Sequence, residues 1–135
     1  MEEYIMTIDE GTTSARAVLF NKDSEIIAIC AKEFAQYYPQ PGWVEQDPKE
    51  IWLTTKEVIN RVVLQAGIDP RQIKAAGITN QRETVVVYDK NTGEPVYNAI
   101  GWADRRTAPY CDELKAAGKE IKPDCLLMDI FPVQK

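Results

Sequence analysis

Hydrophobic positions fall in short runs at the start of the chain and at helical spacing in its middle. Tyr4–Ile8, Ala15–Phe20 and Glu25–Ala31 are compact β-type runs, the second interrupted only by Arg16. Asp9-Glu10-Gly11 and Asn21-Lys22-Asp23-Ser24 separate them with turn chemistry. Each connection is too short for a helical crossover, so the pattern predicts an antiparallel meander of three strands.

Pro39-Gln40-Pro41-Gly42 marks a loop. Asp47-Pro48-Lys49-Glu50 reads as a helix start, with Asp as N-cap, Pro at the first helical position and Glu completing a capping box. Behind it Ile51, Trp52, Thr55, Val58, Ile59, Val62, Val63 and Ala66 recur at helical spacing and predict one buried stripe, ended by Gly67. Ile73–Ile78, with the small centre Ala75-Ala76-Gly77, reads as a strand that the preceding helix lets lie parallel to an earlier one. Thr84–Tyr88 and Val96–Trp102 flank Asp89-Lys90-Asn91-Thr92-Gly93 and read as a hairpin. Thr107 is expected to cap a last helix running through Tyr110, Cys111, Leu114 and Ala117 to Gly118. Past Lys119 the apolar run Leu126-Leu127-Met128 is too short to assign. This order predicts an α/β domain built on a mixed sheet, antiparallel in its first three strands and extended by a parallel strand after a crossover helix.

Composition narrows the function classes. A chain of 135 residues, 44% apolar and 27% charged, fits one globular domain. Its 16 basic and 21 acidic residues give a net charge of −5, and no long basic run offsets it, which disfavours nucleic-acid and anionic-membrane partners. No segment approaches the roughly 18 apolar residues of a spanning helix. The acidic start Met1-Glu2-Glu3 is unlike a signal peptide. Cys30, Cys111 and Cys125 are odd in number and far apart, which predicts a reducing, cytoplasmic setting without disulfides or zinc spacing. The absence of histidine excludes Ser-His-Asp and Cys-His catalysis within these residues.

Three clusters carry candidate chemistry. In Asp9-Glu10-Gly11-Thr12-Thr13-Ser14-Ala15-Arg16 the turn can aim backbone N–H groups and hydroxyls of Thr12, Thr13 and Ser14 at an anion, with Arg16 as a nearby cation. Asp9 could meet a hydrated Mg²⁺, which takes few carboxylates. The same octapeptide also suits a plain hairpin turn. In Gly77-Ile78-Thr79-Asn80-Gln81-Arg82-Glu83-Thr84 polar residues follow the parallel strand, where open α/β sheets place ligands. Arg82 donates and Glu83 accepts, a pair suited to polyol hydroxyls or to nothing more than a solvated loop. Trp102 ends the hairpin, as a pocket wall or as rim packing. Arg105 and Arg106 read as structural or solvent-facing, and Cys111 as helix core.

Taken with Pro41-Gly42-Trp43-Val44-Glu45-Gln46-Asp47-Pro48 and with Asn98-Ala99-Ile100-Gly101-Trp102 and Arg105-Arg106-Thr107, these segments resemble the N-terminal part of the FGGY family of carbohydrate kinases, on its glycerol branch. The resemblance covers roughly residues 4 to 118. It implies a ribonuclease-H-like, actin-like ATPase fold and ATP-dependent phosphorylation of glycerol to sn-glycerol 3-phosphate, with ATP and Mg²⁺ as cofactors. It assigns Thr12, Thr13, Ser14 and Arg16 to the nucleotide phosphates, Asp9 to the metal, and Arg82, Glu83 and Trp102 to glycerol.

Glu10 stands where that pattern has Gln, and is expected to point outward, away from the phosphates; Ala15 replaces a common Ser. The tyrosine of the family's glycerol site has no match in Asp129-Ile130-Phe131-Pro132. Residues 1–135 correspond to part of the family's first domain, without its catalytic Asp or its second, adenine-binding domain. An incomplete domain of this kind is expected to be inactive alone. Two other readings stay open: a kinase for another polyol or sugar, and a non-catalytic binding or assembly module that self-associates through exposed sheet surface.

Overall fold

A computed structural model describes residues 2–119. The three early runs form β1 (Tyr4–Glu10), β2 (Ser14–Asn21) and β3 (Ile26–Glu33), each antiparallel to the next. A short β4 (Glu45–Gln46), helix α1 (Pro48–Ala66), β5 (Ile73–Thr79), β6 (Ala99–Ile100) and helix α2 (Ala108–Ala116) follow. β5 pairs parallel to β1, giving a main sheet in the order β3-β2-β1-β5, and β4 pairs with β6 in a second small sheet. The expected meander and crossover are both present.

Strand alternation puts Tyr4, Met6 and Ile8 of β1, Ala15, Ala17 and Leu19 of β2 and Ala28 of β3 on one face, against Val58 and Val62 of α1. The small alanines let the helix backbone come close to the sheet. α1 lies over β2 and β3 and meets β1 only at its margin. Ile78 of β5 is accordingly left 72% exposed. The opposite face is open, with Ile5, Ile27 and Ile29 in contact with solvent.

Four local expectations are corrected. Asp47 caps α1 by accepting from Lys49 N at 2.8 Å, but Glu50 does not close the box; its carboxylate accepts from Ala35 N at 3.0 Å instead. Trp52 is not part of the buried stripe and is 60% exposed, because the stripe narrows to Thr54, Thr55, Val58 and Val62 where the helix meets the sheet. Thr107 precedes α2 without a side-chain cap bond. The hairpin is reduced to bridges at Val85–Ile100 and Tyr88–Pro95. Pro95 has no N–H to give a ladder, and Ala99 and Ile100 pair with Gln46 and Glu45. Gly67 ends α1 in the left-handed conformation, as expected. Cys125, Leu126-Leu127-Met128 and Asp129-Ile130-Phe131-Pro132 lie outside the described residues.

The loop 41–48 is tied to residues 97–107 by a buried ionic cluster. Arg106 donates to Glu45 and to Asp104, each at 2.8 Å, and its guanidinium lies 3.8 Å from the Trp43 ring centre. Glu45 also accepts from the Tyr97 hydroxyl at 2.9 Å and Asn98 Nδ2 at 3.0 Å, and Asp104 accepts from Val44 N at 2.7 Å. Burial pushes both carboxyls up, yet these hydrogen bonds, with Arg106 foremost, outweigh it and hold both below the usual carboxylate range. Their contribution to stability is therefore complete above the unfolded-state carboxylate range and is lost as the pH falls through the lowered native values. Arg106→Leu is expected to cost about 3–5 kcal/mol in urea unfolding at neutral pH. That deficit should shrink below about pH 4, where the carboxyls no longer need a cation. A deficit that is small, or unchanged by acid, would count against this account.

Candidate functional site

Because β1 and β5 are parallel neighbours, the segments that follow them leave the sheet at the same end. After β1 comes the turn Gly11-Thr12-Thr13, and after β5 the segment Asn80–Thr84. The hydroxyl-lined turn and the Arg82–Glu83 loop thus share one edge. Gly11 N donates to Ser14 O at 3.0 Å, and a Cβ at position 11 would meet that same oxygen at 3.0 Å, so the turn closes best around a glycine.

Thr13 is exposed, and Thr12 and Ser14 are half-buried. The Trp102 indole N–H donates to Thr12 Oγ1 at 3.1 Å, which leaves the Thr12 hydroxyl hydrogen for another acceptor. Trp102 itself remains 56% exposed beside the turn. Asp9 and Arg16 sit opposite each other on β1 and β2, and Thr79 of β5 continues the row. All three lie on the sheet face away from α1.

Glu10, the next residue, falls on the helix side by alternation. It does not point outward to solvent: its Oε1 lies 2.5 Å from Thr55 Oγ1 of α1, and its Oε2 is buried without a partner. The departure at position 10 is therefore set against α1 and not beside Asp9. Among the described residues there is no group of three or more metal-ligating side chains. Asp9 alone fits a hydrated Mg²⁺ that arrives with phosphate groups, and does not fit a resident metal site.

Arg82 and Glu83 are exposed at the loop tip. Glu83 has φ of 63°, the left-handed region that a non-glycine residue occupies at a cost. No ion pair joins the two among the described residues.

The residues that connect the two segments were not identifiable as functional in the sequence. The Thr12 carbonyl accepts from Gln46 Nε2 at 2.7 Å and from Gln36 Nε2 at 3.1 Å. Gln46 in turn accepts from Gln81 Nε2 at 3.0 Å. Gln46 lies within Pro41–Pro48, but a lone glutamine in a Pro-bounded loop ordinarily faces water. Only the 34- and 35-residue separations along the chain give it a role.

Residues 4–128 match the FGGY family of carbohydrate kinases, N-terminal domain. The chain belongs to the FGGY family of carbohydrate kinases. It is 59% identical over 117 residues to the glycerol kinase of Chromobacterium violaceum, covering 87% of this chain and 23% of that protein. Among solved structures, a glycerol kinase of Plasmodium falciparum with ADP matches at a TM-score of 0.76 and 32% identity, over 85% of this chain and 23% of that one. A gluconate kinase of Lactobacillus acidophilus matches at a TM-score of 0.79 and 26% identity, over 87% of this chain and 23% of that one. The chain spans about a quarter of the length of the curated relatives it matches. The mixed sheet of this FGGY chain is that of the actin-like ATPase fold, as an incomplete domain. Among the described residues no helix is long and apolar enough to cross a membrane.

The Glu10 contact generates a test. Thr55 has one hydroxyl hydrogen and two acceptors, Ile51 O at 2.8 Å and Glu10 Oε1. An amide at position 10 donates to Thr55 Oγ1 and frees the hydroxyl for Ile51. Glu10→Gln is expected to raise unfolding free energy by about 1 kcal/mol in a urea titration. A loss of stability would show that the carboxylate is the better partner.

Proposed function

We propose that these residues supply the phosphate turn and the polyol loop for a cytoplasmic, ATP-dependent phosphorylation of glycerol to sn-glycerol 3-phosphate. The observation that carries the reading is the Trp102 indole bonded to Thr12. It joins an exposed aromatic wall to a turn rich in donors, so a small polyol and a phosphate have one continuous surface.

In this reading Arg82 donates to glycerol hydroxyls and Glu83 accepts from them, which fixes which hydroxyl faces the turn. Trp102 covers the carbon chain. Backbone and hydroxyl donors of Thr12, Thr13 and Ser14 hold phosphate oxygens, and Arg16 adds positive charge from the neighbouring strand. Asp9 is the residue that would hold a hydrated Mg²⁺. When bound, ATP and Mg²⁺ supply the transferable phosphoryl group and neutralise its charge. No general base is assigned within the described residues, and the 135 residues alone are expected to show no turnover.

Glycerol, xylulose and gluconate titrated into ¹⁵N-labelled chain test this directly. Glycerol should bind best, shifting amides of residues 79–84 and the Trp102 indole. Arg82→Ala should weaken it by at least about tenfold. Glu83→Gly should abolish binding while raising stability by about 1 kcal/mol, by relieving the left-handed backbone. A preference for either sugar acid or ketose would move the substrate within the family. Turnover by the chain alone would refute its dependence on further machinery.

A second reading, an assembly module, is favoured by the edge of β5, which no strand covers among the described residues, and by the exposed Ile5, Ile29 and Ile78. It requires concentration-dependent association in light scattering. A monodisperse monomer excludes it.

A further inference from the structure

We propose that Gln46 is a positioning residue that holds the hydroxyl-lined turn and the Arg82–Glu83 loop in one register, so that a change in either is felt by the other. Its meaning for catalysis rests on the polyol-kinase reading, but the coupling itself does not.

Gln46 is fully buried, and its amide uses both hydrogens: one to Thr12 O at 2.7 Å, the other to Gln36 Oε1 at 2.9 Å. Its Oε1 accepts from Gln81 Nε2 at 3.0 Å, and Gln81 Oε1 accepts from the Thr84 hydroxyl at 3.0 Å. A backbone carbonyl can only accept, so Thr12 fixes the sense of every amide in the relay. Gln46 must present its NH₂ to the turn and its oxygen to Gln81, and Gln81 must present its oxygen to Thr84. Turning the Gln46 amide over would set oxygen against oxygen at Thr12 and Gln36, and nitrogen against nitrogen at Gln81. Only one orientation of the Gln46 amide satisfies all of its partners, and it spans both binding segments.

The centre of the relay is also anchored. Glu45 exchanges backbone hydrogen bonds with Tyr37 at 2.8 and 2.9 Å, β4 pairs with β6, and Asp47 caps α1 on the other side. Gln46 therefore sets a fixed spacing between Thr12 and Gln81. Glutamate at this position has no donor for the Thr12 carbonyl, and methionine matches the length with neither donor nor acceptor. Trp102 gives the turn a separate tether through Thr12 Oγ1, so the turn persists when Gln46 is replaced.

The test is a ligand-free double-mutant cycle on the 135-residue chain with Gln81→Met, Gln46→Met and both, read by ¹H–¹⁵N spectra and amide exchange. Gln81→Met should shift the Thr12 and Thr13 amides and lower protection of the Gly11 amide by about fivefold. In the Gln46→Met background the same change should leave them unmoved, while core amides such as Leu19 keep their protection throughout. Equal effects of Gln81→Met in both backgrounds, or no effect in either, overturn the proposal. Should Gln46→Met fail to fold, Thr84→Val with Gln46 intact decides: it must shift both the Gln46 side-chain amide and the Thr12 amide, and unmoved resonances overturn the relay. The cycle contains neither glycerol nor nucleotide, so the polyol reading and this one fail independently.

Discussion

Two carboxylates, Glu45 and Asp104, are withdrawn from water around the guanidinium of Arg106. Removing a partner from a buried charge cluster of this kind is costly, and here Tyr97, Asn98 and the Val44 amide add hydrogen bonds to those of Arg106. The arrangement fixes the loop 41–48 against residues 97–107. Everything at the site edge inherits that constraint. Gln46 follows Glu45 directly, and Trp102 lies two residues before Asp104. Both then converge on Thr12, one through its carbonyl and one through its hydroxyl. A cluster that lies outside the candidate site thus decides how the edge of that site is arranged.

The main sheet contributes a different constraint, direction. A turn and a loop that are far apart in sequence meet because β1 and β5 end at the same edge. The strict alternation of β1 then separates Asp9 from Glu10. One acid faces the open side with Arg16, and the other is pressed against Thr55. Two adjacent carboxylates therefore have unrelated surroundings, and on the open face Asp9 stands opposite Arg16 across the strands.

The pattern of residues carried the meander, the crossover helix and the parallel fourth strand, because each rests on local periodicity and turn chemistry. It failed where a local preference met a tertiary competitor. Glu50 has the position of a capping-box acid but is drawn away by Ala35 N. Trp52 has helical spacing but stays exposed, since the buried positions of α1 are Thr54, Thr55, Val58 and Val62. Val96–Trp102 has β character but must share Ala99 and Ile100 with the loop that carries Glu45. The candidate residues Thr12, Arg82, Glu83 and Trp102 stood out as polar or aromatic residues at strand ends. Gln36, Gln46 and Gln81 did not, since nothing in their neighbours along the chain marks an amide as buried.

The crossover also imposes an order of assembly. Residues up to Glu33 contain the whole antiparallel meander, with contacts that are close along the chain. The other side of β1 has to wait for Ile73–Thr79. Local pairings form with little loss of chain entropy and distant ones more slowly. As the polypeptide leaves the ribosome, the central strand is for a time one-sided, exposing a row of free amides and carbonyls beside the hydroxyl-lined turn. The second half of the site is therefore added late, to a scaffold already in place.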